Sequence, residues 1–163
     1  MKNQKILFLT QAAMIAALYV VLTIVFQPFS FGDLQVRIAE ALTILPVFTP
    51  AAIPGLFIGC LIGNLLGGAI LPDTIFGSLA TLLGAIFTYA LRKQSKYLAP
   101  LPPIFANTLL MPFVLRYAYG LNLPIAYFML TIGVGELISC GLLGIIVYTA
   151  LHKHQYKIFR RRH

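Results

Sequence analysis

Apolar residues run along this chain in long blocks, broken at a few points by charge or proline. Uncharged stretches extend from Ile6 to Phe26, Ala41 to Pro72, Thr74 to Leu91, Tyr97 to Leu115, Tyr117 to Gly135 and Leu137 to Leu151. A helix needs roughly 20 apolar residues to cross a bilayer, and most of these blocks reach or approach that length. The block from Ala41 to Pro72 exceeds it and carries Pro46, Pro50 and Pro54 in its first half. Proline inside a helix costs about 3 kcal/mol, so PVFTPAAIP marks a turn between a short helix and the next. The pattern predicts six helices, over roughly 6–26, 35–49, 51–70, 73–91, 101–118 and 123–151. They form one membrane-embedded domain, 1–163, of all-α class: a six-transmembrane-helix bundle.

Composition agrees with that pattern. The chain is 60% hydrophobic and only 10% charged, with a mean hydropathy of +0.90, outside the range of a soluble domain. The first block follows Lys2 and Lys5 as a secretory signal would. It is longer than a signal core of roughly 7 to 15 residues and lacks a small-x-small cleavage site, so it reads as a retained helix. Charge then orients the bundle. Of 12 lysines and arginines, all but Arg37 and Arg116 fall at one end of the predicted helices, in the amino terminus, in the loop of Arg92, Lys93 and Lys96, and in the basic tail. The positive-inside rule makes that end, and both termini, cytoplasmic. The net charge of +8 therefore requires no nucleic acid, and the tail suits contact with anionic lipid.

The charges outside this scheme belong to an outward set. Residues 33–46, DLQVRIAEALTILP, place Asp33, Arg37 and Glu40 at spacings of four and three, one face of a helix. Asp73 lies outward as well, and Glu136 sits well inside the last predicted helix. Ionisable groups at membrane depth line a cavity or pair with one another. With Asn64 and Asn107, the residues Arg37, Glu40, Arg116 and Glu136 are the candidate binding residues, ringed by Phe26, Phe29, Phe31, Tyr117, Tyr119, Tyr127 and Phe128. Blander readings stand beside this one: an interfacial Asp33–Arg37 pair, a snorkelling Arg116, asparagines bonding between helices and an aromatic interface belt. They fit Glu40 and Glu136 least, because a carboxylate inside a helix has no water to reach.

Small residues supply the second pattern. Gly55, Gly59, Gly63 and Gly67 recur every four positions, and TQAAMIAAL spaces Ala12 to Ala16 and Ala13 to Ala17 in the same way, making smooth faces for close helix approach. For the glycines the expectation is packing inside the bundle; for the alanines a partner protein competes with it. Enzyme signatures are absent. No histidine falls within a span, no GxxxxGK[ST] loop exists, and Cys60 and Cys140 read as small buried hydrophobes with neither disulfide nor metal spacing. No internal repeat supports a self-sufficient transporter. No catalytic residue, metal or cofactor is expected.

The segments LQVRIAEALTILPVFTPAAIPGLFIGCLIGNLLGG and PDTIFGSLATLLGA resemble the QueT family, the queuosine-precursor transporters, and the resemblance extends through essentially the whole chain. The alanine spacing is similar to the motif by which substrate-binding subunits of energy-coupling-factor transporters dock on their partner. The resemblance implies a six-helix binding subunit, or S component, that pairs with a transmembrane coupling subunit and two cytoplasmic ATPases and takes a 7-deazaguanine substrate from outside. Docking then falls to Ala12, Ala13, Ala16 and Ala17. Glu40 or Glu136 would hold the guanine-like edge, since a carboxylate accepts two donors at once. Asn64 and Asn107 would read the carbonyl and ring nitrogens, and Arg37 would stack on the ring or fix the carboxylate. Two alternatives remain open: a binding subunit for another vitamin-like molecule, and a small membrane enzyme or scaffold.

Overall fold

The computed structural model describes residues 2–30 and 36–155, and among them every regular element is helical. Helix α1 (Lys2–Val25) is followed by the short α2 (Gln27–Ser30). A 3-10 helix (Ile38–Val47) leads through the proline turn into α3 (Ala52–Leu66) and α4 (Leu71–Leu91). Next come α5 (Leu101–Phe113), running into a π-helical turn (Val114–Ala118), and α6 (Ile125–Glu136). A second π-helical stretch (Leu137–Leu143) joins α6 to α7 (Gly144–His152). Three helices are long and apolar enough to cross a membrane by length and composition: Gln4–Val25, Leu71–Leu91 and the continuous run Ile125–His152. Their outward faces carry exposed Leu9, Leu18, Val21, Phe76, Leu83, Phe87, Leu130 and Leu142, far more apolar surface than a water-soluble monomer shows.

Packing proceeds from neighbour to neighbour, α1 on α3, α3 on α4, α4 on α5 and α5 on α6, while the 3-10 helix touches α1, α3, α4 and α7. The glycine face of α3 explains the first contact. A Cβ on Gly55 would lie 2.7 Å from the Ala12 carbonyl oxygen, and one on Gly59 would lie 2.8 Å from Tyr19 Cβ and 3.0 Å from Ala16 Cα. Backbone therefore meets backbone, and Ile15, Tyr19, Leu42, Leu45, Leu56 and Cys60 close the core beside it. A second cluster, Met111, Val114, Leu115, Phe128 and Ile132, ties α5 to α6.

The segment expected as an α-helix over 35–49 is the main departure. It is a ten-residue 3-10 helix in which everything from Ala39 to Pro46 is buried, although such helices rarely exceed three or four residues. Pro46 has no N–H to continue a ladder, and Thr43 Oγ1 bonds the Glu40 carbonyl at 2.6 Å. The change of helix type preserves one part of the predicted face, because residues three apart eclipse in a 3-10 helix. Arg37 caps the segment with extended backbone, and its carbonyl accepts the Glu40 N–H at 2.9 Å. Asp33, Phe31 and the tail residues Lys157, Arg160, Arg161 and Arg162 lie outside the described residues, as does the side chain of Phe29.

The end of α3 is set by a glycine. Gly68 has φ of +85°, the left-handed conformation that glycine adopts without strain. The Ala69 N–H reaches the Asn64 carbonyl at 3.0 Å and the Gly68 N–H reaches Leu65 at 3.4 Å, the paired bonds of a Schellman motif. This holds Asn64 in the last turn.

Gly59→Ala should lower stability by about 1 to 3 kcal/mol, the range for overpacking a close contact. Gly141→Ala, where an added Cβ meets nothing within 4 Å, should not lower it. Thermal unfolding of the purified variants in one detergent compares the two; equal melting temperatures would remove the close α1–α3 approach as a stability determinant.

Candidate functional site

Two acidic side chains at helix ends and one acid inside the 3-10 helix build a continuous buried polar cluster. Asp73 stands in the first turn of α4, after Pro72, where the helix N-terminus favours negative charge. Its Oδ1 meets Arg37 Nη2 at 3.4 Å, both side chains being buried, and its Oδ2 accepts the Tyr119 hydroxyl at 2.7 Å. Gly77, one turn further along α4, makes room for this group. A Cβ there would lie 3.1 Å from Asn64 Nδ2 and 3.5 Å from both Arg37 Nη1 and Asp73 Oδ1.

Glu40 has no exposed surface. Its Oε1 accepts the Tyr19 hydroxyl and lies 3.1 Å from Thr81 Oγ1. The Thr81 hydroxyl also stands 3.4 Å from Cys60 Sγ and 3.0 Å from the Gly77 carbonyl, so its single proton serves one acceptor at a time. Asn64 Nδ2 reaches Cys60 Sγ at 3.5 Å. The other oxygen, Glu40 Oε2, is buried without a hydrogen-bond partner, which in an apolar surrounding is an expensive arrangement.

Glu136 closes the far side at the junction of α6 with its π-helical stretch, a helix type concentrated at functional sites. Asn107 Nδ2 donates to Glu136 Oε1 at 2.9 Å, and Cys140 Sγ donates to Glu136 Oε2 at 3.0 Å. Thr43 Oγ1 lies 3.4 Å from Cys140 Sγ, linking this group to the 3-10 helix. Asn107 Oδ1 and Ser139 Oγ are buried without partners. Donor atoms of Glu40, Glu136 and Cys140 all lie within 4.8 Å of one another, close enough to hold a metal ion. The thiol already serves Glu136 as a hydrogen-bond donor, so the trio is held together without one.

Five of the six residues expected at a binding site, Arg37, Glu40, Asn64, Asn107 and Glu136, are thus buried in one neighbourhood. Arg116 stands apart from these bonds: it is half-buried in the π-helical turn, and its Nη1 donates to the Leu123 carbonyl at 2.7 Å. The alanines divide. Ala12 and Ala16 are buried against the α3 glycines, whereas Ala13 and Ala17 are exposed. Of the outer aromatics, Tyr119 joins the cluster, Phe128 is buried against Tyr127 with ring centroids 6.0 Å apart, and Tyr117 is exposed.

Tyr19, Asp73, Thr81, Cys60 and Cys140 escaped the sequence reading as members of the site. Asp73 carried a usable signal, being one of four acids in the chain and placed just after a proline. Cys140, four residues past Glu136, shares its helical face. Nothing in the order of residues distinguishes Tyr19 or Thr81 from ordinary core positions.

Membrane-length apolar helices packed around a buried cluster of carboxylate, asparagine and guanidinium groups define the class as a membrane protein with an ionisable interior. The chain matches the model of the family described as QueT transporter over residues 9–153, and it belongs to that family. It is similar to the queuosine precursor transporter QueT of Lactococcus lactis subsp. cremoris (strain MG1363), 36% identical over 85 residues, which are 51% of this chain and 50% of that protein. The match spans about half the length of that curated relative. No solved structure matches the chain.

Breaking a buried ion pair by removing one member typically costs about 3 to 5 kcal/mol. Asp73→Ala should therefore destabilise the protein strongly, whereas Tyr119→Phe, losing one hydrogen bond, should cost about 1 kcal/mol. Thermal unfolding ranks them; an Asp73→Ala protein as stable as Tyr119→Phe would show that the pair contributes little.

Proposed function

We propose that this chain is the substrate-binding subunit of an ATP-driven uptake transporter that captures a queuosine precursor of the 7-deazaguanine type from outside and delivers it inward. Six spans with both termini cytoplasmic, in the plasma membrane, carry the site. A transmembrane coupling subunit and two cytoplasmic ATPases supply the energy, so the chain itself hydrolyses nothing. Family membership supports the transport role, and the name of the Lactococcus relative supports the substrate.

The observation that carries the reading is Glu40. A fully buried carboxylate with one oxygen lacking a partner, on a residue grouped within 4.8 Å of Glu136 and Cys140, suits an occupant rich in hydrogen-bond donors. The pairing edge of a deazaguanine offers two such donors, and a carboxylate accepts both together. Asn107 Oδ1, equally unpartnered, takes a third, and Asn64 lies beside Arg37 to read a carbonyl. Where the precursor carries an aminomethyl cation, Glu136 is its counter-ion. Ala13 and Ala17, exposed on α1 and uncharged, form the surface that meets the coupling subunit; Ala12 and Ala16 set the depth of α1 on α3 beneath it.

Calorimetric titration of the purified protein with deazaguanine precursors tests the substrate, with guanine and a B vitamin as controls. A precursor should bind tightly, and Glu40→Gln should weaken it by about 1.4 kcal/mol or more, tenfold or beyond. Wild-type affinity in that variant would return Glu40 to a purely structural role. Ala13→Leu combined with Ala17→Leu should abolish uptake into cells while leaving the titration unchanged; undiminished uptake would remove the docking surface.

A further inference from the structure

Away from the polar cluster, α4 and α5 enclose a furrow of about 640 Å³ whose walls are entirely apolar, among them Leu83, Phe87, Leu91, Leu101, Phe105 and Leu109. Its origin lies in one close contact. A Cβ on Gly84 would sit 2.7 Å from Pro103 Cα, so the two backbones touch there and the larger side chains on either side stand apart. Phe87, Phe105 and Leu109 are exposed along it, and the volume lies within the range of small-molecule sites.

The furrow ends at a basic loop. Leu91 and Leu101 bracket the connection that contains Arg92, Lys93 and Lys96, and Thr88 Oγ1 pins that loop to the helix through the Ala99 carbonyl at 2.8 Å. Arg92 is held over the Tyr89 ring at 3.7 Å and donates to the Tyr89 carbonyl at 2.7 Å. Lys96 lies 5.0 Å from the Tyr97 ring centroid, and Lys93 is exposed. From Thr74 to Gly135 the chain contains no acid, and the ion pair found among the described residues is Arg37 with Asp73, so the positive charge of this loop meets no carboxylate from its own neighbourhood.

An apolar furrow whose two helices are joined at one end by a cationic loop is complementary to a molecule with a hydrocarbon chain and an anionic head. We propose that the α4–α5 furrow is a binding site for an anionic phospholipid, an acyl chain lying between Phe87 and Phe105 and the phosphate headgroup meeting Lys93 and Lys96. The site is independent of the substrate reading, since none of its residues belongs to the polar cluster. A basic pocket between transmembrane helices is the usual form of such headgroup recognition.

The test uses the full chain purified from nanodiscs made of phosphatidylglycerol and phosphatidylcholine in equal amounts, with retained lipid measured by native mass spectrometry after detergent exchange. Retained lipid should be enriched in phosphatidylglycerol, each lysine accounting for a preference of about fivefold. Lys93→Gln with Lys96→Gln should return the ratio towards that of the bath, and Ala106→Trp should reduce retention of both lipids. Because the lysine variant alters only the loop, its fold is checked by an unchanged melting temperature. Equal retention of the two lipids, or enrichment indifferent to both lysines, would overturn the proposal. So would a disulfide-linked dimer formed by Phe105→Cys in the nanodisc, which would assign the furrow to a second copy of the chain.

Discussion

A carboxylate with no exposed surface, in a protein whose outer walls are hydrocarbon, is the constraint on which the rest of this structure depends. Desolvating Glu40 is tolerable only if other groups replace water, and two helices supply hydrogen bonds to its carboxylate. Tyr19 comes from α1 and Thr81 from α4. The Glu40 backbone is tied down separately: Thr43 donates to its main-chain carbonyl, and Cys140, after α6, lies at hydrogen-bonding distance from the same main-chain oxygen. The helices are thereby held to one another by polar bonds as well as by packing. Between apolar helices in lipid the hydrophobic effect supplies little specificity, and small residues with interhelical hydrogen bonds take over.

Close approach is the second requirement. Short polar side chains reach across a helix interface only if the backbones are near, and glycine provides that nearness at three places. Gly59 admits Tyr19 to α3, Gly77 leaves space beside α4 for Asn64 and Arg37, and Gly84 brings Pro103 against α4. The first two serve the polar cluster. The third brings α5 against α4 beside the apolar furrow, so one packing device serves both the buried polar interior and the furrow in the same bundle.

Helix geometry departs from the α-form at the buried carboxylates. The 3-10 helix presents Glu40 and a π-helical stretch follows Glu136. These segments trade regular hydrogen bonding for the placement of particular side chains. They also explain why spacing rules derived from 3.6 residues per turn put Arg37 and Glu40 on one face but gave the wrong helix type for the segment that holds Glu40.

The order of residues determined the all-helical class, the breaks at proline and the rarity of charge that made Glu40 and Glu136 conspicuous. These are local or compositional properties: hydrophobic run length, the missing N–H of proline and the energetic penalty of a charge in hydrocarbon. Tertiary structure alone decided that Arg37 finds Asp73 across 36 positions, that Tyr19 and Thr81 converge on one oxygen, and that Ala12 turns inward while Ala13 faces out. Such choices depend on how α1, α3 and α4 are rotated against one another. That rotation follows from the simultaneous packing of glycine faces far apart in the chain, a condition that no single stretch of sequence contains.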